Sequence, residues 1–356
     1  MAKEKTPQRH QDTKDHKGSN EMAILEKNLG NNKLECQLCP HLCKLLPGKT
    51  GICGARKNTG EKIELLTYGV ISGLALDPVE KKPIYHFFPG TNILSIGSWG
   101  CNMRCDFCQN YQISQSEARE DQTRVLPSWI VDKALSLENN IGIAFTYNEP
   151  VIWYEFVKDV GEAAKKEGLC TVMVTNGFVS EKPLDDYLTF IDAFNVDLKA
   201  FNNDFYRQIT GASLEPVKTS LKKISKSGRH LEITTLIITG RNDLASEMEE
   251  EARWIADELG KETPLHLSRY FPMYKRSDPA TTDGKLTELY EIARKHLDYV
   301  YLGNTTSEAG RDTICPGCGS IVTKREGYRL RHVNTIDGKC AVCGRVIYRN
   351  FTFSSS

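Results

Sequence analysis

From NILSIG to YVYLGN the chain alternates short apolar runs with amphipathic segments, and this alternation leaves few folds open. IGIAFTY (141–147), TVMVTNG, IDAFNVDL, HLEITTLII and PLHLSRY read as buried strands. Between them lie helical patterns. Pro127 and Ser128 start one, and Trp153, Phe156, Val157, Val160 and Ala164 form the apolar face of the next, which ends at Gly168. Ser180 is a candidate N-cap for a third. Val217, Leu221 and Ile224 mark a fourth, Met248, Ala252, Ile255 and Leu259 a fifth, and Leu286, Leu289, Ile292 and Ala293 a sixth. Strands separated by helices pair in parallel through right-handed crossovers. Six or seven such units predict a barrel-like or open α/β sheet, whose active site sits at the carboxyl ends of the strands.

The cysteines supply the chemistry. Eleven of the twelve fall into three sets: Cys36/39/43/53, Cys101/105/108 and Cys315/318/340/343. Gaps of two and three residues are how thiolate ligands are arranged, and no export signal precedes them, so metal sites are expected rather than disulfides. The first twenty residues have no apolar segment of a secretory signal. Cys170 stands apart and reads as a small buried hydrophobe. Lys+Arg and Asp+Glu balance at 46 each, so there is no global basic field for nucleic acid. Basic and aromatic residues interleave in KREGYRLRH, which reads first as solvated strand faces. No 18-residue apolar run suggests a membrane span, and a cytoplasmic protein is expected.

The middle set holds three cysteines where closed sites use four. A [4Fe–4S] cluster on three thiolates keeps one iron open to a chelating ligand. A zinc site completed by a distant Cys170 or His86 is the alternative on spacing alone.

CNMRCDFCQN, a C-x3-C-x2-C just past an apolar strand, resembles the radical S-adenosylmethionine (radical SAM) superfamily. That resemblance implies a partial (β/α)6 TIM-like barrel. Cys101, Cys105 and Cys108 would hold the [4Fe–4S] cluster, SAM would chelate its open iron, and its cleavage would give a 5′-deoxyadenosyl radical that abstracts hydrogen from a protein or small molecule. TYNEP (146–150) stands where the family has a Gly-Gly-Glu-Pro-like motif. Its Glu149 would bind the SAM amino group, although Tyr147 and Asn148 replace the glycines. Asn176 in VTNG, Asp197 and Lys199 in VDLK, and His266 are the further SAM-binding candidates. The stretch LALDPVEKKPIYHFFPGTNILSIGSWGCNMRCDFCQN, together with CQLCPHLCKLLPGKTGIC, resembles the pyruvate formate-lyase activating enzyme-like branch, and within it the AmmeMemoRadiSam system proteins. The resemblance implies an electron donor such as ferredoxin or flavodoxin, and Memo-type and AMMECR1-type partners. Glycyl-radical activation is one alternative function. A non-catalytic zinc or iron–sulfur adaptor is another.

The expected organisation is a disordered polar tail (1–24), an N-terminal four-cysteine module (25–66), the barrel (67–304) and a zinc-ribbon-like module (305–356). Cys315, Cys318, Cys340 and Cys343 form two C-x2-C knuckles, a zinc-like set. Cys36, Cys39, Cys43 and Cys53 take zinc or a second cluster, with His41 a possible substitute ligand. The residues do not specify the substrate of the radical, the metals of the two terminal modules, whether SAM is consumed or recycled, or the oligomeric state.

Overall fold

The computed structural model describes residues 25–116 and 122–352. The tail read at 1–24 lies outside the described residues. The alternating pattern folds into one eight-stranded sheet whose strands follow chain order. Strand β1 (Gly73–Pro78) runs antiparallel to β2 (Asn92–Gly97) and was not expected from the sequence. From β2 onward every pairing is parallel, through β3 (Asn140–Phe145), β4 (Cys170–Thr175), β5 (Ala193–Asp197), β6 (His230–Ile237), β7 (Leu265–Arg269) and β8 (Val300–Gly303). Helices α1 (Pro127–Leu135), α2 (Tyr154–Lys166), α3 (Glu181–Phe190), α4 (Leu214–Lys226), α5 (Ala245–Glu258) and α6 (Asp283–Ala293) make the crossovers. This is a partial (β/α)6 barrel, with β1 and β8 as its two edges.

The predicted helix faces are the buried ones: Phe156, Val157, Val160 and Ala164 of α2, and Val217 and Leu221 of α4, are fully buried. Strands covered on both sides need continuous apolar runs, as β3 shows. Val79, Ile84 and Phe87 pack with Ile93, Ile141, Val172 and Ala193 near the strand starts, filling the end of the barrel opposite the mouth. Cys170 opens β4 at that same end, far from the cysteine loop after β2, so it does not serve as a fourth ligand there.

Neither terminal module stands alone. Leu34, Leu38, Leu45, Ala55, Ile63 and Leu65 of the N-terminal module belong to the same apolar core as the barrel. The C-terminal module pairs Thr313–Ile314, Ile321–Glu326 and Arg329–His332 in a three-stranded sheet. Its Val322, Ile347 and Tyr348 pack on Tyr299 and Tyr301. Arg325 of KREGYRLRH turns inward, buried with its guanidinium 4.2 Å over the Tyr85 ring.

His86 lies in this junction and is no metal ligand. Its Nδ1–H donates to the Ile347 carbonyl (3.1 Å) and its Nε2 accepts from the Tyr301 hydroxyl (2.6 Å). Burial pushes its pKa down to about 3. Below pH 6.5 the unfolded chain therefore binds a proton that the native state refuses, and stability falls with pH until about 3. Between pH 7 and 5 wild type should lose up to about 2 kcal/mol that His86→Gln keeps, read by denaturant unfolding of both proteins. Parallel pH curves would contradict this.

Candidate metal centres

The three-cysteine loop follows β2, and its neighbours fix its path. At Gly97 an added Cβ would lie 2.8 Å from the Thr146 carbonyl, so only glycine lets the β3 loop approach this closely. Asn148 clasps the loop: its Oδ1 accepts from Ser98 N (2.9 Å) and its Nδ2 donates to the Gly100 carbonyl (3.1 Å). Gly100 has φ +88°, and a Cβ there would sit 2.3 Å from the Cys53 carbonyl. Asn102 donates to the Phe178 carbonyl (2.8 Å), and Arg104 N donates to the Thr210 carbonyl (2.7 Å). Asp106 accepts from Arg276 (2.8 Å). The loop is thus tied down by segments that follow β3, β4, β5 and β7.

Cys101, Cys105 and Cys108 line one cavity of about 220 Å³ with Glu149, Asn176, Asp197 and Lys199. Seven of the eight cofactor-binding candidates read from the sequence therefore meet here. Burial pushes all three thiols up, Cys105 to about 12. Three buried thiolates facing one lysine, itself paired with Asp197, are costly, so this donor set suits a metal group. No fourth thiol lines the cavity, which fits an iron–sulfur group with one coordination position left over.

Glu149 is buried at the N-cap of the turn after β3. Its Oε1 accepts from Val151 N (3.0 Å) and the Thr175 hydroxyl (2.6 Å), and its Oε2 from Asn176 N (2.8 Å). Burial pushes the carboxyl up to about 7 despite these donors. A carboxylate has about four acceptor positions, so Oε2 keeps one for a ligand cation. Asn176 is oriented by its amide bond to Asn102 Oδ1 (2.8 Å). Lys199 pairs with Asp197 (2.7 Å). Burial disfavours its charge, but Asp197 and Cys105 outweigh that and hold its pKa above the ordinary value.

Where the related motif has glycine, Tyr147 adopts φ +71°. The strain is held by its side chain: the hydroxyl donates to Asp77 (2.8 Å), and Lys82 sits 4.7 Å over the ring. Burial would raise the Asp77 carboxyl, but Lys81, Lys82 and Tyr147 hold it down at about 2.

The eighth candidate, His266, is elsewhere. It lines a neighbouring cavity of about 880 Å³, which shares Gln109, Asn110, Tyr147, Thr234 and Ser268 with the first. There its Nε2 meets Glu232 (2.6 Å), a buried carboxylate that also binds His230 (2.8 Å) and the amides of Tyr85 and His86. Burial would raise Glu232, yet the two imidazoles hold it well below the usual carboxylate range. Thr234, Leu236 and Ser268 reach the cysteine cavity instead, and sequence reasoning missed them. Their inward-facing, period-two positions in β6 and β7 were the available signal. Asn242 of TGRND turns back to cap its own loop, donating to the carbonyls of Lys199 and Leu236.

In the C-terminal module, the Sγ atoms of Cys315, Cys318, Cys340 and Cys343 all lie within 4.8 Å of one another. Two pairs stand at 3.5 and 3.6 Å, close to the roughly 3.8 Å edge of a thiolate tetrahedron around one ion with bonds of about 2.3 Å. His41 of the N-terminal module is not placed as a ligand. Its Nε2–H donates to the Asn102 carbonyl (2.7 Å), and its ring stands edge-on to Phe178.

The family model of the Radical SAM superfamily matches residues 96–255. An uncharacterised protein of Methanocaldococcus jannaschii is 38% identical over 333 residues, 91% of this chain and 98% of that one. The pyruvate formate-lyase 1-activating enzyme of Escherichia coli is 26% identical over 148 residues, 40% of this chain and 60% of that enzyme. The (2S)-3-sulfopropanediol dehydratase activating enzyme of Klebsiella oxytoca is 25% identical over 129 residues, 36% of this chain and 41% of that enzyme. Among solved structures, a radical SAM methyltransferase from Sphaerobacter thermophilus has a TM-score of 0.49 at 17% identity, over 62% of this chain and 68% of that chain.

Proposed function

The chain belongs to the radical SAM superfamily, and on that premise we propose that it cleaves S-adenosylmethionine reductively to abstract hydrogen from a substrate. The observation that carries this reading is the single cavity shared by Cys101, Cys105, Cys108, Glu149, Asn176, Asp197 and Lys199. The three thiols would hold the [4Fe–4S] cluster, which when bound supplies a single electron and an open iron for the SAM amino and carboxylate groups. Glu149 Oε2 receives the SAM ammonium, and that positive charge keeps the carboxyl ionised. Lys199 would pair with the SAM carboxylate, and Asn176 would bind the ligand beside Glu149. Thr234 and Ser268 line the passage toward the larger cavity.

Anaerobically reconstituted protein, given dithionite and SAM, should form 5′-deoxyadenosine. No product from well-loaded protein, while a known family member turns over in parallel, would overturn the proposal. Colourless, zinc-only protein prepared anaerobically would point instead to the adaptor reading. Glu149→Gln should weaken SAM binding by about 10–100-fold, the loss of about 1.5–3 kcal/mol expected for a charge-assisted bond. Equilibrium dialysis measures it, with thermal unfolding as the control for folding.

The radical's target is read from the larger cavity. Lys81, Lys82, Arg269, Arg311 and Arg325 line it, and the buried Nε of Arg325 has no hydrogen-bond partner among the described residues. Four of these five cations are already paired with carboxylates of the chain, and the surplus positive charge supports a substrate bearing a carboxylate or phosphate. The names of the two activating enzymes above favour a second reading, a glycine on a partner protein, which a glycyl EPR doublet on that partner would support. For the ribbon cysteines we propose zinc. An electron donor of the ferredoxin or flavodoxin kind, and Memo-type and AMMECR1-type partners, rest on the family resemblance. No helix among the described residues is long and apolar enough to cross a membrane.

A further inference from the structure

Cys36, Cys39, Cys43 and Cys53 are used by neither of the sites above, yet the fold gathers them. Cys36 N donates to the Cys43 carbonyl (2.9 Å), and Leu42 N closes a tight turn on the Cys39 carbonyl (3.1 Å). Gly51 folds back so that a Cβ there would lie 3.8 Å from Cys43 Sγ, and Cys53 follows two residues on. All four also pack against the same apolar core.

The two four-cysteine sets nevertheless differ in spacing. Among the described residues, only the ribbon cysteines bring three or more ligand atoms within 4.8 Å of one another. Around one zinc ion the sulfurs must come to about 3.8 Å. Around a cubane they stand further apart, because each thiolate binds a different iron. The N-terminal set has the wider spacing.

Its position is equally specific. The Cys53 carbonyl lies against Gly100, the residue before Cys101. His41, two residues after Cys39, donates to the carbonyl of Asn102, the residue after Cys101. The Arg104 guanidinium, also in the three-cysteine loop, donates to the Ile52 carbonyl, the residue before Cys53. Both flanks of Cys101 are therefore in contact with residues at or beside N-terminal ligands.

We propose that Cys36, Cys39, Cys43 and Cys53 hold a second, closed [4Fe–4S] cluster that relays single electrons to the three-cysteine site. One electron enters from a reduced flavodoxin- or ferredoxin-type donor, which is oxidised by one electron, and the same electron leaves toward the loop at Cys101. The relay rests on the reading of that site as the SAM-cleaving one. Occupancy by a second cluster does not.

The test separates the two. Full-length protein with Cys101, Cys105 and Cys108 all changed to alanine is reconstituted anaerobically and analysed for metals. It should retain about four irons and four sulfides with about one zinc per chain, and wild type should carry about eight irons. An iron-free triple variant with about two zinc ions, or an iron count near two, would overturn the second cubane. For the relay, 5′-deoxyadenosine formation is compared with reduced flavodoxin and with dithionite as donors. In Cys39→Ala the flavodoxin-to-dithionite rate ratio should fall about tenfold or more relative to wild type, about 1.4 kcal/mol in barrier. An unchanged ratio would overturn the relay. If wild type makes no 5′-deoxyadenosine with either donor, the proposed function fails, while the iron count still decides the second cluster.

Discussion

Replacing Cys101, Cys105 or Cys108 by alanine should reduce 5′-deoxyadenosine formation by about a thousandfold or more, to the assay background, with the barrel still folded. That loss corresponds to at least about 4 kcal/mol of transition-state stabilisation. It is all-or-none because three thiolates are already the minimum for this arrangement, and no other thiol lines the cavity to substitute. The barrel should survive because its core is built elsewhere. The loop is held by Asn148, Asn102, Arg104 and Asp106, none of which depends on a thiol. Circular dichroism and thermal unfolding check the fold, and product chromatography checks the chemistry. Full cleavage by all three variants would remove the assignment of the site.

Breaking the buried pair between Arg56 and Glu155 should destabilise the protein most among the changes outside the cysteine sites. Arg56 is 1% exposed and forms two 2.7 Å bonds to the carboxylate of Glu155 on α2, joining the N-terminal module to the barrel. Burial opposes its charge, but Glu155 outweighs burial and raises its pKa. Removing one partner of such a pair costs about 3–5 kcal/mol. The two removals should not be equal. Arg56→Met leaves Glu155, a third of whose side chain reaches solvent, so the cost should sit near the lower value. Glu155→Ala strands a guanidinium with no access to water, and its cost should reach the upper value. Arg56→Lys should not rescue, since an ammonium cannot bond both oxygens in this planar geometry. Thermal shifts of roughly 4–7 °C are expected, larger for Glu155→Ala. Equal shifts of a degree or two would show that the pair is peripheral.

Much of the site was legible because parallel β/α units bring the carboxyl ends of their strands together. Knowing only that Cys101 follows β2, Glu149 follows β3, Asn176 follows β4 and Lys199 follows β5 is enough to expect a shared cavity. His266 shows where that logic stops. It and Ser268 face the same side of β7, two residues apart, so the sequence treats them alike. Register decides between them. His266 pairs with Thr234 and Tyr301, one layer deeper, where Glu232 takes its proton bond, while Ser268 reaches the cysteine cavity. Strand β1 was missed because GLALDP is a half-exposed edge strand, with Leu74 and Leu76 facing outward and no continuous apolar run. That Tyr147 replaces a glycine was legible, but how its strained backbone is held was not, because the group that holds it, Asp77, comes from β1.

The sequence by itself determined which atoms are available for chemistry and in what order. Three cysteines stand at one strand end and four at each flank, with a carboxylate, an amide and a lysine after successive strands. These follow from local periodicity and ligand spacing, which are properties of short segments. Only the tertiary structure decided how far apart the thiols of each set lie. Both sets offer four thiols in the chain, but the fold of the C-terminal module draws one to the spacing of a single ion. The N-terminal set, sharing the barrel's core and braced against Gly100 and Asn102, stays wider and beside the three-cysteine loop. Sulfur-to-sulfur distance depends on packing between segments distant in the chain, and no spacing pattern encodes it.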